Sequence, residues 1–141
     1  MATRTEQRRA AVWSLYQSDL LGLPLEQTFP RDVHGFTREL ATQVRNHQPE
    51  LDALISAHAT GWTLGRIAPL ERSILRVALL ELVHPETTPG DTPIPPEGAI
   101  VEAVETAKEF CGADAPKFVN GVLGAVLRER QQAAHEETLQ P

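Results

Sequence analysis

Five groups of side chains in this 141-residue sequence could do chemistry. Glu102, Glu105 and Glu109 could supply the paired carboxylates of general acid–base catalysis. Their three- and four-residue spacing is equally that of a solvated helix face. Five histidines, His34, His47, His58, His84 and His135, show no HExxH or other close pair with ligand spacing, so no metal site is expected. Cys111 is the only cysteine, with no partner for a disulfide or zinc knuckle and no nearby histidine to activate it. Glycine-rich phosphate loops and the GxSxG elbow are missing from the sequence. Nothing here favours an enzyme, a catalytic set or a cofactor.

The remaining two groups fit binding better. Arg4, Arg8 and Arg9 face only one acid, Glu6, at the start of the chain. Such a cluster serves either solubility or contact with phosphates, with Arg4 reaching out from a flexible arm over residues 1–4. The segment Lys117-Phe118-Val119-Asn120-Gly121-Val122-Leu123-Gly124 places two glycines inside a helical pattern. Each costs about 1 kcal/mol relative to alanine, a cost that points to close approach of a helix or of a ligand backbone. Asn120 is either satisfied locally or offered to a partner. Phe118 reads as core or as a stacking platform.

The elements that must carry these groups are helical throughout. Ala11, Val12, Leu15 and Tyr16 recur at three- and four-residue spacing and predict a helix over about Thr5–Leu20. Gly22 and Pro24 interrupt it. A second helix is expected over His34–Asn46, and a third begins beside Pro49, where a missing N–H costs nothing. Pro69–Val83, the most apolar stretch, predicts a central helix packed on both flanks. Five prolines between Pro85 and Pro96 predict an exposed loop over 85–97. A helix then runs from near Gly98 to Phe110, and Asp114 with Pro116 opens the last one. Residues 131–141 have little to bury and are expected to fray. The fold class is all-α, a compact single domain with no strand.

Composition limits the partners. The chain is 41% hydrophobic and 23% charged, ordinary for one globular domain, with a net charge of −6. An acidic average argues against a generic nucleic-acid binder. The acidity is regional, however. Between Glu81 and Asp114 eight acids face the single base Lys108, which more than accounts for the whole net charge. An anionic ligand is therefore permitted at the arginine end. No apolar run approaches the length of a membrane span, and the N-terminus lacks the pattern of a signal peptide, so a cytoplasmic location and no membrane partner are expected.

Four segments, in order, resemble one family. FVNGVL (118–123), EAVETAKEF (102–110), RIAPLERSILRVALLEL (66–82) and RRAAVWSLYQSD (8–19) resemble the NusB transcription antitermination factors. The resemblance covers most of the chain. It implies about seven helices arranged as two packed helical subdomains, and a non-enzymatic function. It further implies binding of the boxA element of nascent ribosomal RNA together with a small-subunit ribosomal protein, NusE. Other Nus factors and RNA polymerase would complete the assembly, so that elongation continues past terminators.

Carried over by position, the resemblance assigns Arg8, Arg9, Tyr16, Lys117, Phe118 and Asn120 to RNA, and Arg4 of the basic arm is expected to join them. It assigns Glu81 to the ribosomal-protein contact, joined on that face by Arg72 and Arg76. The sequence departs from the family pattern at several positions. Only Arg4 precedes Arg8, where many members have a denser basic run. Val101 stands where an Asn is common, Gly124 where an Asp is common, and the proline loop is long. The sparse arm predicts weak RNA affinity without the protein partner. NusB-like helical domains also precede rRNA cytosine methyltransferases, but the sequence holds no cofactor-binding α/β segment. A helical scaffold that binds proteins without RNA is the other alternative.

Overall fold

The computed structural model describes residues 2–139. It contains six α-helices: α1 (Arg4–Leu21), α2 (Gly35–Asn46), α3 (Gln48–His58), α4 (Pro69–Val83), α5 (Pro96–Phe110) and α6 (Ala115–Leu139). Three single 3-10 turns, Leu25–Thr28, Leu64–Arg66 and Pro85–Thr87, lie in the connections. There is no strand among the described residues. The all-α expectation holds, with six α-helices rather than about seven.

Local chemistry sets the boundaries. Thr3 caps α1 in a reciprocal box: its hydroxyl accepts from the Glu6 amide, and the Glu6 carboxylate accepts from the Thr3 amide. Arg4 is therefore the first helical residue and does not ride on a free arm. Met1 lies outside the described residues. Gly22 ends the helix at φ 66°, a left-handed conformation that suits glycine. Prolines open α3, α4 and α5 within their first two positions. Hence α5 starts at Pro96, two residues earlier than Gly98, and the proline loop closes at Pro95.

Helix α4 is the spine. Every residue from Ser73 to Val83 is buried. It packs against α1, α2 and α3 on one flank and against α5 and α6 on the other, so both helical groups share one apolar core. Leu15, Leu40, Leu51, Ile55, Ile74, Leu75, Leu79, Leu80 and Leu123 are its largest fully enclosed members. Aliphatic side chains fill this interior, while Trp13 and Trp62 remain on the surface.

Two features differ from expectation at the carboxyl end. Helix α6 continues to Leu139, whereas fraying was expected after residue 130; the described side chains beyond that point are exposed, so only helical hydrogen bonds hold it. Residues 140 and 141 lie outside the described residues. Within α6, a Cβ built on Gly121 meets nothing within 4 Å, so packing does not require glycine there. Gly121→Ala is expected to raise the free energy of unfolding by about 1 kcal/mol, measured by urea denaturation.

A histidine closes the end of α4. The His84 ring faces Glu50 through Nε2 at 2.7 Å and Glu86 through Nδ1 at 3.2 Å, and it lies 4.6 Å from the His47 ring. The hydrogen bond to Glu50 is the main cause that raises its pKa, with Glu86 adding to it and partial burial opposing. A raised folded-state pKa gives stability that is complete below the unfolded value, about 6.5, and is lost as pH climbs through the folded value. The difference in melting temperature between the protein and His84→Gln should therefore shrink as pH rises from 6 to 8.

Candidate nucleic-acid interface

The arginines expected to meet phosphate are largely spoken for within the chain. Arg8 Nε donates to Glu81 Oε2 at 3.0 Å, with side-chain exposures of 13% and 4%. Burial pushes the Glu81 carboxyl up, and Arg8 pulls it down; Glu102 nearby adds a further upward push. Arg9 is ion-paired with Glu109 and lies over the Phe110 ring at 5.5 Å. Arg4 stacks on Phe36 at 4.0 Å and donates to Gln7, and its charge has no carboxylate partner among the described residues.

Beside Arg9 lies an aromatic cluster. The Trp13 ring meets Tyr16 edge-on at 5.6 Å and Phe110 at 5.2 Å. Trp13 and Phe110 are 38% and 39% exposed, and Tyr16 is half-buried. Such rings present stacking faces to unpaired bases while their edges lock one another in place. Of this cluster only Tyr16 was singled out from sequence. The available signal for Trp13 was its position one residue after Val12, off the buried stripe of α1.

The second expected group lies on α6. Lys117 and Asn120 are exposed and Phe118 is half-buried, with its ring 6.1 Å from exposed Trp62. No hydrogen bond, ion pair or ring contact joins this group to the α1 arginines among the described residues. The turn over 111–114 connects the two, running from Phe110 to the start of α6.

Two of the three residues expected to touch a protein partner are interior. Arg76 donates through Nε and Nη2 to both Asp52 oxygens, at 2.7 and 3.1 Å, and through Nη1 to Asp19 at 2.6 Å. Arg45 joins from α2, donating to Asp19 at 3.1 Å and to the Ser18 hydroxyl at 2.9 Å. This network ties α1, α2, α3 and α4 together. Arg76 and Glu81 therefore have no free surface to offer a partner. The reason is geometric: α4 is covered on both flanks, so a charge on it must find its counter-charge inside. Arg72 is half-buried, and its guanidinium donates to the Leu64 carbonyl at 3.3 Å.

No cluster of three metal-ligating side chains occurs among the described residues, and no helix is long and apolar enough to cross a membrane. A model of the NusB family matches residues 5–128. The chain belongs to the NusB family. Its sequence is 35% identical to the transcription antitermination protein NusB of Symbiobacterium thermophilum, across 94% of each chain. Its fold is similar to that of T. maritima NusB, with a TM-score of 0.75 and 28% identity over 91% of this chain and 92% of that one. It is equally similar to a chain in a crystal structure of the antitermination factors NusB and NusE in complex with dsRNA, with a TM-score of 0.75, 25% identity, and coverage of 89% and 96%. The all-helical NusB architecture inferred from sequence is thus the architecture found.

Proposed function

We propose that this chain is an RNA-binding transcription antitermination factor. It recognises boxA of nascent rRNA transcripts together with the ribosomal protein NusE, and it helps assemble the antitermination complex on RNA polymerase. The observation that carries this reading is the match, over nearly the whole chain, to a NusB fold solved with NusE and RNA. The chain acts by binding, without catalysis.

The RNA face combines Arg4, Arg9 and the Trp13–Tyr16–Phe110 cluster with Lys117, Phe118 and Asn120. Cations neutralise phosphates, and rings take unstacked bases. Arg8 serves this face indirectly, holding α1 against α4 through Glu81. The protein partner is placed on the acidic outer side of α5, where Glu97, Val101, Glu105 and Glu109 are exposed. A basic ribosomal protein complements that charge and brings further cations to the RNA. Arg72, half-buried in the first turns of α4, is the remaining candidate of the partner set.

With three to five phosphate contacts, the log of the binding constant should fall with the log of salt concentration at a slope of about −0.7 per contact. A filter-binding series across salt measures it, and a flat response would remove the basic residues from the site. The functional test is a reconstituted elongation reaction with NusE and the other Nus factors. Read-through of a terminator should rise on adding this chain when the transcript carries boxA, and should not rise when boxA is scrambled. Equal read-through from both templates would refute the reading.

One observation favours a protein-only scaffold: Arg8 and Arg9 are both already paired with acids. Under that reading, NusE binds and RNA adds nothing to its affinity.

A further inference from the structure

A groove of about 830 Å³ lies between the α3–α4 connection and the first four turns of α6. None of the residues on its α3–α4 side belongs to the expected RNA set. Trp62 forms one wall and is 51% exposed, its ring held edge-on by Phe118. Gly121 lies on the opposite wall, where a Cβ would meet nothing within 4 Å, so its backbone is open to a flat ligand.

The charge of the groove is unusual for this chain. Among the described residues, six of the 13 Lys and Arg side chains are in ion pairs, including Arg8, Arg9 and Arg76. Arg66, Lys117 and Arg128 have no carboxylate partner among the described residues, and all three line this groove. The Arg128 guanidinium lies back along α6 over Gly124, with Nη1 3.2 Å from where a Cβ would stand. An aspartate at 124 would instead place a carboxylate beside Arg128 and cancel its charge. The acids on the groove are Asp114 and Glu71, and burial pushes the Glu71 carboxyl up.

We propose that this groove is a second RNA subsite, which takes one or two unpaired nucleotides of a strand that also crosses the α1 face. The reading rests on the RNA-binding function proposed above. A base stacks on Trp62, and the flanking phosphates meet Arg66, Lys117 and Arg128. Glu71, at the groove wall, offers an acceptor to an exocyclic amino group of the base. An apolar peptide would use the rings but leave three cations unanswered. An acidic peptide would use the cations but not the exposed indole.

The test uses the full chain and a boxA-containing single-stranded RNA. Trp13→Phe leaves Trp62 as the only indole, so its emission reports the groove directly. Titration with RNA should quench that emission. Trp62→Ala should weaken RNA binding by about tenfold, the scale of losing one stacked base. Gly121→Leu, which fills the groove from an exposed helical position, should weaken it in the same direction. Arg66→Gln with Arg128→Gln should reduce the steepness of the salt dependence by about 1.4 in the log-log slope. Gly124→Asp should remove about half of that.

Wild-type affinity in both Trp62→Ala and Gly121→Leu, with unchanged Trp62 emission, would overturn the subsite and leave the RNA function intact. Quenching of Trp62 by NusE in the absence of RNA, but not by RNA, would make the groove a protein site and also overturn the proposal. Failure of the unmodified chain to bind RNA at all, with or without NusE, would overturn both readings.

Discussion

Arg8→Ala is expected to lower the free energy of unfolding by about 3 kcal/mol, the scale of breaking a buried ion pair from one side. The substitution strands the Glu81 carboxylate, 4% exposed on the central helix, whose ion pair is with Arg8. The penalty should shrink as pH falls, because a stranded buried carboxylate takes up a proton more readily than its unfolded form. Replacing both partners, Arg8→Met with Glu81→Leu, should recover most of the loss, since neither charge then remains in the interior. Urea denaturation of the three variants at pH 5 and pH 7 decides the matter. Full stability of the single variant at pH 7 would show that Glu81 does not depend on Arg8. The consequence for function is direct: lost RNA binding in Arg8→Ala reports a loosened α1 as much as a missing phosphate contact.

Arg76→Ala is expected to cost about 3 kcal/mol or more, again measured by denaturant unfolding. It removes three hydrogen bonds at once and leaves Asp19 and Asp52 facing each other across the gap. Those carboxylates are 19% and 20% exposed, so water relieves part of the repulsion and keeps the cost toward the lower end of the range. Arg76→Lys should rescue little, because an ammonium cannot span Asp52 through two parallel bonds while also reaching Asp19. The destabilisation should appear without RNA or any partner. A variant of normal stability that failed only in NusE binding would instead return Arg76 to the partner surface.

The contrast between these two residues and the groove shows what the sequence made legible. Helical spacing placed the stripe of α1, the apolar run of α4 and the start of α6 within a few residues of their positions. Apolar periodicity records which way a side chain faces, and that survives into the fold. Pro96 does not belong to the loop that the proline run predicts; it occupies the first turn of α5, where a missing N–H costs nothing. Arg76 and Glu81 were misplaced for a different reason. A charged residue on a helix reads as surface unless its counter-charge is known. Those counter-charges come from Asp19, Asp52 and Arg8, brought in by other helices from distant parts of the chain.

The surface aromatics were illegible for a related reason. Only 5% of the residues are aromatic, so aliphatic side chains and alanine must do most of the packing. Here leucine, isoleucine, valine and alanine fill the interior, which frees Trp13 and Trp62 to stand on the surface. Composition hinted at aliphatic packing, but not at where the displaced rings would go. The net charge follows the same logic. Acids that make the chain acidic overall also neutralise Arg8 and Arg9, while Arg4 and the groove-lining Arg66, Lys117 and Arg128 are among the cations without an acid partner among the described residues.

That redistribution supports an RNA ligand whose affinity depends on a second, basic protein. The most direct test is equilibrium binding of a boxA-containing RNA, with and without NusE, at two salt concentrations. The account predicts weak binding by the chain alone, a gain of tenfold or more with NusE, on the scale of a coupling of about 1.4 kcal/mol, and loss of affinity at the higher salt. Reciprocally, RNA should raise the affinity for NusE by the same factor. Affinity unchanged by NusE, and insensitive to salt, would contradict it.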